Sequence, residues 1–285
     1  MPKFIARCSQ LGKLMTEPKG KSNFDKYNDL NKTIHDNKSK LSCIKPTLKS
    51  YSNLQEKIAK QEEDLKVLES LRNEPNLSET CITEIETWMK EKLYGNYHGF
   101  SSKYTTKGIL CEDDSIDFAA KYYGWGDVKK NTERKTNEFI TGECDIFMPN
   151  LVDDIKSCWS EKTFPLFNRD IPIDGYGYQG LGYMALWEVP KFQLTYTLMD
   201  APDTLVDQEA RRKQYELGLD EVDFELWQEV KGKMTFSHLP DELRIKSYYI
   251  DFDKDLLDKV YSKIEDIRKY IDNSGFNELF LRVNG

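Results

Sequence analysis

The sequence predicts an α/β protein: a mixed central β-sheet flanked by helices, preceded by an N-terminal helical extension. Three observations predict it. Two short extended runs, Phe139 to Met148 and Leu151 to Trp159, meet at Pro149-Asn150, the pattern of two strands joined by a tight turn. Two later runs, Phe192 to Met199 and Arg244 to Phe252, alternate like strands buried on one face. Around them lie apolar residues at helical spacing, above all Leu256, Leu257, Val260, Ile264, Ile267 and Ile271. A chain of 285 residues with 39% hydrophobic content can bury one large core or a core with an appendage. The expected division is a basic segment and helical extension over 1–98 and the core over 99–285.

Taken in order, the chain begins basic. Residues 1–50 hold 11 Lys/Arg against 4 Asp/Glu, a local +7 in a chain of net charge −8, which leaves −15 for the rest. Such a start reads as an arm facing a polyanion such as DNA or, for Glu17 to Asn37, as a solvated, partly disordered tail. From Tyr51 to Arg72, Leu54, Ile58, Leu65, Leu68 and Leu71 form a narrow stripe on a highly charged helix, the pattern of a hairpin arm or a partner-binding helix. Ser78 is placed to cap a helix with the stripe Cys81, Ile82, Ile85, Trp88, Met89 and Leu93, ending at Gly95. Lys103, Tyr104 and Lys107 then form a basic-aromatic cluster that reads either as a phosphate-holding site or as a solvated loop. The helix that follows carries Ile109, Ile116, Ala119 or Ala120, and Tyr123, with Glu112 inside that stripe. A carboxylate so placed needs a partner, a metal being one, because an unpaired ionised group in apolar surroundings is very costly; the other reading is a Glu at the stripe's edge reaching solvent.

The hairpin carries the chemistry. Side chains alternate along a strand, so Val152, Asp154, Lys156 and Cys158 share one face and Asp153, Ile155 and Ser157 the other. The same parity sets Asp145 with Glu143 and Phe147, and pairing the strands brings Asp145 toward Asp154. Two carboxylates beside an ammonium suit a hard divalent cation, since Mg²⁺ takes one or two protein carboxylates and keeps several waters. A surface Asp–Lys pair worth about 0 to 1 kcal/mol is the other reading at this point.

Asp145 followed by Asp154-Ile155-Lys156, with Gly142 to Ile146 in the form G-x-x-D-hydrophobic, resembles the core motif of the PD-(D/E)XK nucleases. Gln179-Gly180-Leu181-Gly182-Tyr183 resembles the Q-x-x-x-Y element of the RecB-type, YqaJ-type and lambda-exonuclease-like branch. Arg7 to Met15 is similar to the short Ser-capped helix that opens phage members of that branch. The resemblance, over roughly 75–275 and the first fifteen residues, implies a restriction-endonuclease-like core and a metal-dependent exonuclease acting on DNA ends in phage-type recombination or replication. It implies that Glu112, Asp145, Asp154 and the carbonyl of Ile155 hold one or two Mg²⁺ or Mn²⁺ ions and that Lys156 helps activate water. Gln179 and Tyr183 then position the scissile phosphate or strand end; beside what the resemblance implies, Lys103, Tyr104 and Lys107 of the basic-aromatic cluster, and Ser157, are expected in substrate binding. Double-stranded DNA with free ends is the implied partner, with a single-strand annealing or binding protein as companion and a homo-oligomer as the assembly. Asp154 stands where Glu is commoner, one methylene shorter.

Four glycines, Gly175, Gly177, Gly180 and Gly182, weaken a helix by about 1 kcal/mol each against Ala, so close approach of that backbone to the sheet or to a DNA strand is expected. The six cysteines contain no C-x-x-C pair, which argues against a zinc site or an iron–sulfur cluster. No apolar run reaches a membrane span and Met1 to Lys13 has no signal-peptide core, so a cytoplasmic protein is expected, in the host cytoplasm if phage-encoded. From other classes, a non-cleaving DNA-binding or assembly protein and a structure-specific endonuclease are the alternatives on the same fold.

Overall fold

The computed structural model describes residues 1–97, 102–171 and 173–284. The chain folds as two compact units that interleave in sequence. One holds Met1–Lys3, Thr16–Gly95 and Lys263–Gly285; the other holds Phe4–Met15 and Asn96–Ser262. The boundary expected between 98 and 99 lies outside the described residues.

The second unit opens with strand β1 (Ala6–Arg7), a 3₁₀ turn and the short helix α1 (Leu11–Leu14). The first unit then supplies α2 (Asn23–Ser42), α3 (Lys49–Leu71) and α4 (Glu79–Tyr94). Back in the second unit come α5 (Lys103–Leu110), α6 (Glu112–Tyr123), strands β2 (Lys135–Thr136), β3 (Ile140–Gly142), β4 (Ile146–Met148) and β5 (Leu151–Ser157), helix α7 (Tyr178–Trp187) and strand β6 (Lys191–Thr197). Helices α8 (Asp203–Leu217) and α9 (Phe224–Lys233) and strand β7 (Ile245–Asp251) follow in the second unit; α10 (Lys254–Asn273) is divided between the units at Lys263, and α11 (Phe276–Asn284) belongs to the first.

The main sheet runs β4-β5-β6-β7 and is mixed: β4 and β7 are antiparallel to their neighbours, while β5 and β6 are parallel. Pro149-Asn150 closes the β4–β5 hairpin, with Met148 opposite Leu151 and Ile146 opposite Asp153. Parallel strands need a crossover, and α7 is that crossover. It packs so closely that a Cβ on Gly180 would lie 2.1 Å from the Phe192 ring of β6, and one on Gly182 would lie 2.7 Å from Cys8 Sγ. These two glycines therefore serve contact with the sheet and with the segment before α1, not with a DNA strand. On the sheet's other side α6 packs Ile116 and Ala119 against Ile146, Ile155 and Ile245.

Several expectations are corrected. The run Phe139 to Met148 is not one strand: it breaks at 143–145, and β3 joins a small separate sheet of order β1-β3-β2. Helix α1 takes Gln10, not Ser9, as its N-cap residue. Glu17 to Asn37 is not a tail, since α2 begins at Asn23 with Ser22 accepting the Asp25 N–H at 3.0 Å. Composition misleads there because α2 is stabilised by α3, through buried Ile34 and Ile58 and an Asn37 to Gln61 hydrogen bond of 2.9 Å. Ser78 does cap α4, accepting from Cys81 N, and Gly95 ends it at φ +66°.

Candidate active site

Three short elements position the acidic pair. Strand β4 ends its pairing at Ile146, so Asp145 sits one residue beyond the ladder, level with Asp154 on β5. Its carboxylate folds onto the vacated edge, where Oδ2 accepts the Ile155 N–H at 2.6 Å. Its main chain is pinned from behind: the Asp145 carbonyl accepts from Asn131 N at 2.7 Å, and Asn131 Nδ2 donates to the Cys144 carbonyl at 2.9 Å. Burial, and then the charge of Asp154, push the Asp145 carboxyl up to about 7.

Asp154 is almost fully buried, and its two oxygens have different partners. Oδ1 accepts from Gln179 Nε2 at 3.1 Å. Oδ2 is ion-paired with Lys156 Nζ at 2.5 Å. Lys156 is half-buried, and its ammonium sits 5.5 Å from the centre of the Tyr176 ring. Burial alone would lower it, but Asp154 and Asp145 outweigh burial and hold it above the ordinary lysine range.

Gln179 and Tyr183 share one face of α7, with Gln179 Nε2 donating to Tyr183 Oη at 2.9 Å. Both are buried, and Gln179 is turned onto Asp154. Glu112 is the first residue of α6, partly exposed, with Oε2 2.6 Å from Lys130 Nζ. It is not inside a continuous apolar stripe, because the segment breaks at Cys111 and Ile109 on α5 is exposed. Glu112 reaches Asp145 through its charge, which adds to the upward push on that carboxyl.

Two expected substrate contacts are not available as such. Lys107 is fully buried, its Nζ 3.2 Å from the Trp159 carbonyl and 5.1 Å from the Phe236 ring centre, and burial lowers its ammonium below the ordinary lysine range. A lysine is an unusual residue to bury, and its type alone pointed to the surface. Ser157 lies on the opposite face from Lys156 and bonds Ser115 of α6 at 2.7 Å. Lys103 and Tyr104 remain accessible: Lys103 Nζ pairs with Glu209 at 3.1 Å and sits 4.7 Å from the Trp159 ring, and Tyr104 meets that ring edge-on. Glu143 points away, toward Arg134 at 3.2 Å.

Sequence reasoning passed over four contributors: Asn131, Lys130, Trp159 and Tyr176. Each acts through a main-chain bond, a charge or a ring face, and none carries a motif signal. It also passed over the network behind β5, where Thr195 Oγ1 donates to Asp153 Oδ2 at 2.7 Å and Gln193 and Tyr123 converge on Ser247.

The donor set fits a hard divalent cation. Among the described residues no three His, Cys, Asp or Glu side chains form a cage by themselves. Mg²⁺ needs only one or two carboxylates and keeps its waters. Two neighbouring carboxylates, Asp145 partly buried and raised to about 7 and Asp154 almost fully buried, are the arrangement a cation relieves.

No family model matches the chain, and no curated protein does. A solved structure does. The crystal structure of a phage-related exonuclease from Haemophilus somnus 129PT is 25% identical, with a TM-score of 0.64 over 95% of each chain. The fold is shared with that exonuclease. An alkaline exonuclease from Laribacter hongkongensis aligns at 11% identity and a TM-score of 0.48, over 72% of this chain and 86% of that one.

Proposed function

We propose that this protein is a metal-dependent nuclease that removes nucleotides from the ends of double-stranded DNA. One observation carries the reading: Asp145, Asp154 and Lys156 converge at the open end of the β4–β5 hairpin in a chain whose fold is shared end to end with a phage-related exonuclease. Mg²⁺ or Mn²⁺ would be held by Asp145, Asp154 and the Ile155 carbonyl, with Glu112 at the rim. A strand residue's N–H and C=O face the same edge, and the Ile155 N–H already meets Asp145, so its carbonyl opens there too. When bound, the ion would polarise the scissile phosphate and lower the pKa of an attacking water.

The chain's own residues do the rest. Lys156, cationic and anchored against Asp154, orients the water and offsets charge on the phosphate. Gln179 fixes the rotamer of Asp154, and Tyr183 fixes Gln179, so this pair positions a ligand and leaves the phosphate to others. Lys103, Tyr104 and Trp159 form a cation-and-ring surface suited to a phosphate and a base face. A role in phage-type recombination, and work beside a single-strand annealing protein or as a homo-oligomer, follow from the resemblance.

The test is digestion of one plasmid, linear and covalently closed, with Mg²⁺ and with Mn²⁺. Loss of the linear form alone is expected. Equal cutting of the closed circle identifies an endonuclease, and no cutting of either form identifies a non-cleaving binder.

A further inference from the structure

The first unit carries a feature that the proposed chemistry does not use. Helices α2 and α3 run antiparallel as a hairpin, about 30 and 35 Å long at 1.5 Å per residue. Their interface is thin, with Ile34 and Ile58 buried and the Asn37–Gln61 bond setting the register between them. The turn is ordered by its own main chain: Cys43 N bonds Lys40 O, Ile44 N bonds Leu41 O, and Leu48 N bonds Lys45 O, each at 3.1 Å.

Charge is polarised along this arm. Residues 21–36 carry three lysines and three aspartates, and residues 56–72 carry four basic against five acidic residues, so the base of the arm is close to neutral. Residues 37–55, the tip, carry four lysines and no Asp or Glu. Lys38 is spent on Glu62 at 2.6 Å. Lys40, Lys45 and Lys49 are exposed and, among the described residues, have no ion-pair partner. A chain of net charge −8 with 49 acidic residues therefore displays, at the tip, three ammonium groups without an ion-pair partner among the described residues: Lys40 in the last turn of α2, Lys45 in the connection and Lys49 at the start of α3.

We infer that the tip of the α2–α3 hairpin is a second contact for duplex DNA, in which Lys40, Lys45 and Lys49 hold the phosphate backbone. This rests on the nuclease reading above. Lysines act as point charges for phosphate and read no sequence, which is what a nuclease moving along any duplex needs. A membrane surface fits poorly, because Leu48 is the one large exposed apolar residue of the tip and such anchors need an apolar face.

The test uses full-length protein and a labelled linear duplex longer than the arm, in chelator-containing buffer, with affinity measured across a salt series. The variants are the triple substitution Lys40→Gln, Lys45→Gln, Lys49→Gln and a control that removes the same charge from the base, Lys26→Gln, Lys57→Gln, Lys60→Gln. Losing three phosphate contacts lowers the slope of log affinity against log salt by about 2.7, so from about 50 to about 200 mM salt the wild type loses roughly fortyfold more affinity than the tip variant. The control keeps the wild-type slope. Equal slopes in wild type and tip variant overturn the inference, as does an equal fall in both variants. So does tip-dependent binding to anionic phospholipid vesicles with duplex affinity unchanged. A wild type that binds duplex through the tip but hydrolyses nothing with Mg²⁺ or Mn²⁺ would remove the nuclease reading and leave the tip contact standing.

Discussion

Strand β5 buries an aspartate on each face, and the two are treated differently. Asp153 faces α6, where Thr195 Oγ1 donates to Oδ2 within a hydroxyl and amide network, and burial pushes its carboxyl well above the usual range. Asp154 faces α7, where it has an ammonium at 2.5 Å, one amide and a second carboxylate close by. In the first, burial raises the carboxyl and the Thr195 hydroxyl on Oδ2 works against that rise; the second gathers charge of both signs at the end of a strand ladder. Adjacent identical residues thus acquire opposite characters from strand parity alone. The cation of the proposed function belongs to the second arrangement, where two carboxylates lie together.

The largest expected effect breaks the charged face. Asp154→Ala would remove an anionic ligand of the proposed cation, worth several kcal/mol of transition-state charge stabilisation, so cleavage of linear duplex should fall about a thousandfold or more. Asp154→Asn should fall as far, since the amide keeps the shape and loses the charge; retention of most activity by either variant would show that the acidic pair is structural.

Next in size is the support behind it. Gln179→Ala frees the Asp154 carboxylate to rotate, and loss of such a partner typically costs about 10- to 100-fold in metal affinity or activity. The loss should appear as a raised Mg²⁺ requirement with little change in duplex affinity. A change in duplex affinity alone would return Gln179 to the phosphate.

A smaller effect, of opposite sign on stability, concerns Lys107. Lys107→Met keeps the volume and removes a buried ammonium, so the fold should gain on the order of 1 kcal/mol while cleavage stays near wild type. The lowered ammonium also fixes a pH signature. The unfolded chain holds that proton up to about 10.4, whereas the folded chain releases it at lower pH. Wild-type stability should therefore rise with pH between the two values, because the unfolded state binds more protons there, and the Met variant should lack that rise. Thermal melts across alkaline pH check this, and a cleavage defect in a well-folded variant would restore a substrate role.

The hairpin was legible because two signals agreed: Pro149-Asn150 punctuates it, and the period of two along Leu151 to Ser157 admits one assignment of faces. The strand β6, strand β7 and helix α10 were legible for the same reason, as regular periods of adequate length. The break at 143–145 was not, because it depends on Asn131 holding the main chain of Cys144 and Asp145 from a distant loop. Lys107 misled because residue type was read as exposure. Asn131, Trp159 and Tyr176 were silent because a main-chain bond or a ring face leaves no mark in spacing. The helix α2 was hidden by composition, since its stability is shared with α3 and its own stripe is narrow.

The contrast between the two faces of β5 is tested most directly by calorimetric titration of Mn²⁺ into wild type, Asp153→Asn and Asp154→Asn, each checked for folding by circular dichroism. Wild type and Asp153→Asn should bind with similar affinity and Asp154→Asn should bind at least about tenfold more weakly, the loss expected when one anionic ligand is neutralised. Unchanged binding in Asp154→Asn, or a loss confined to Asp153→Asn, would contradict the placement of the cation on the α7 face.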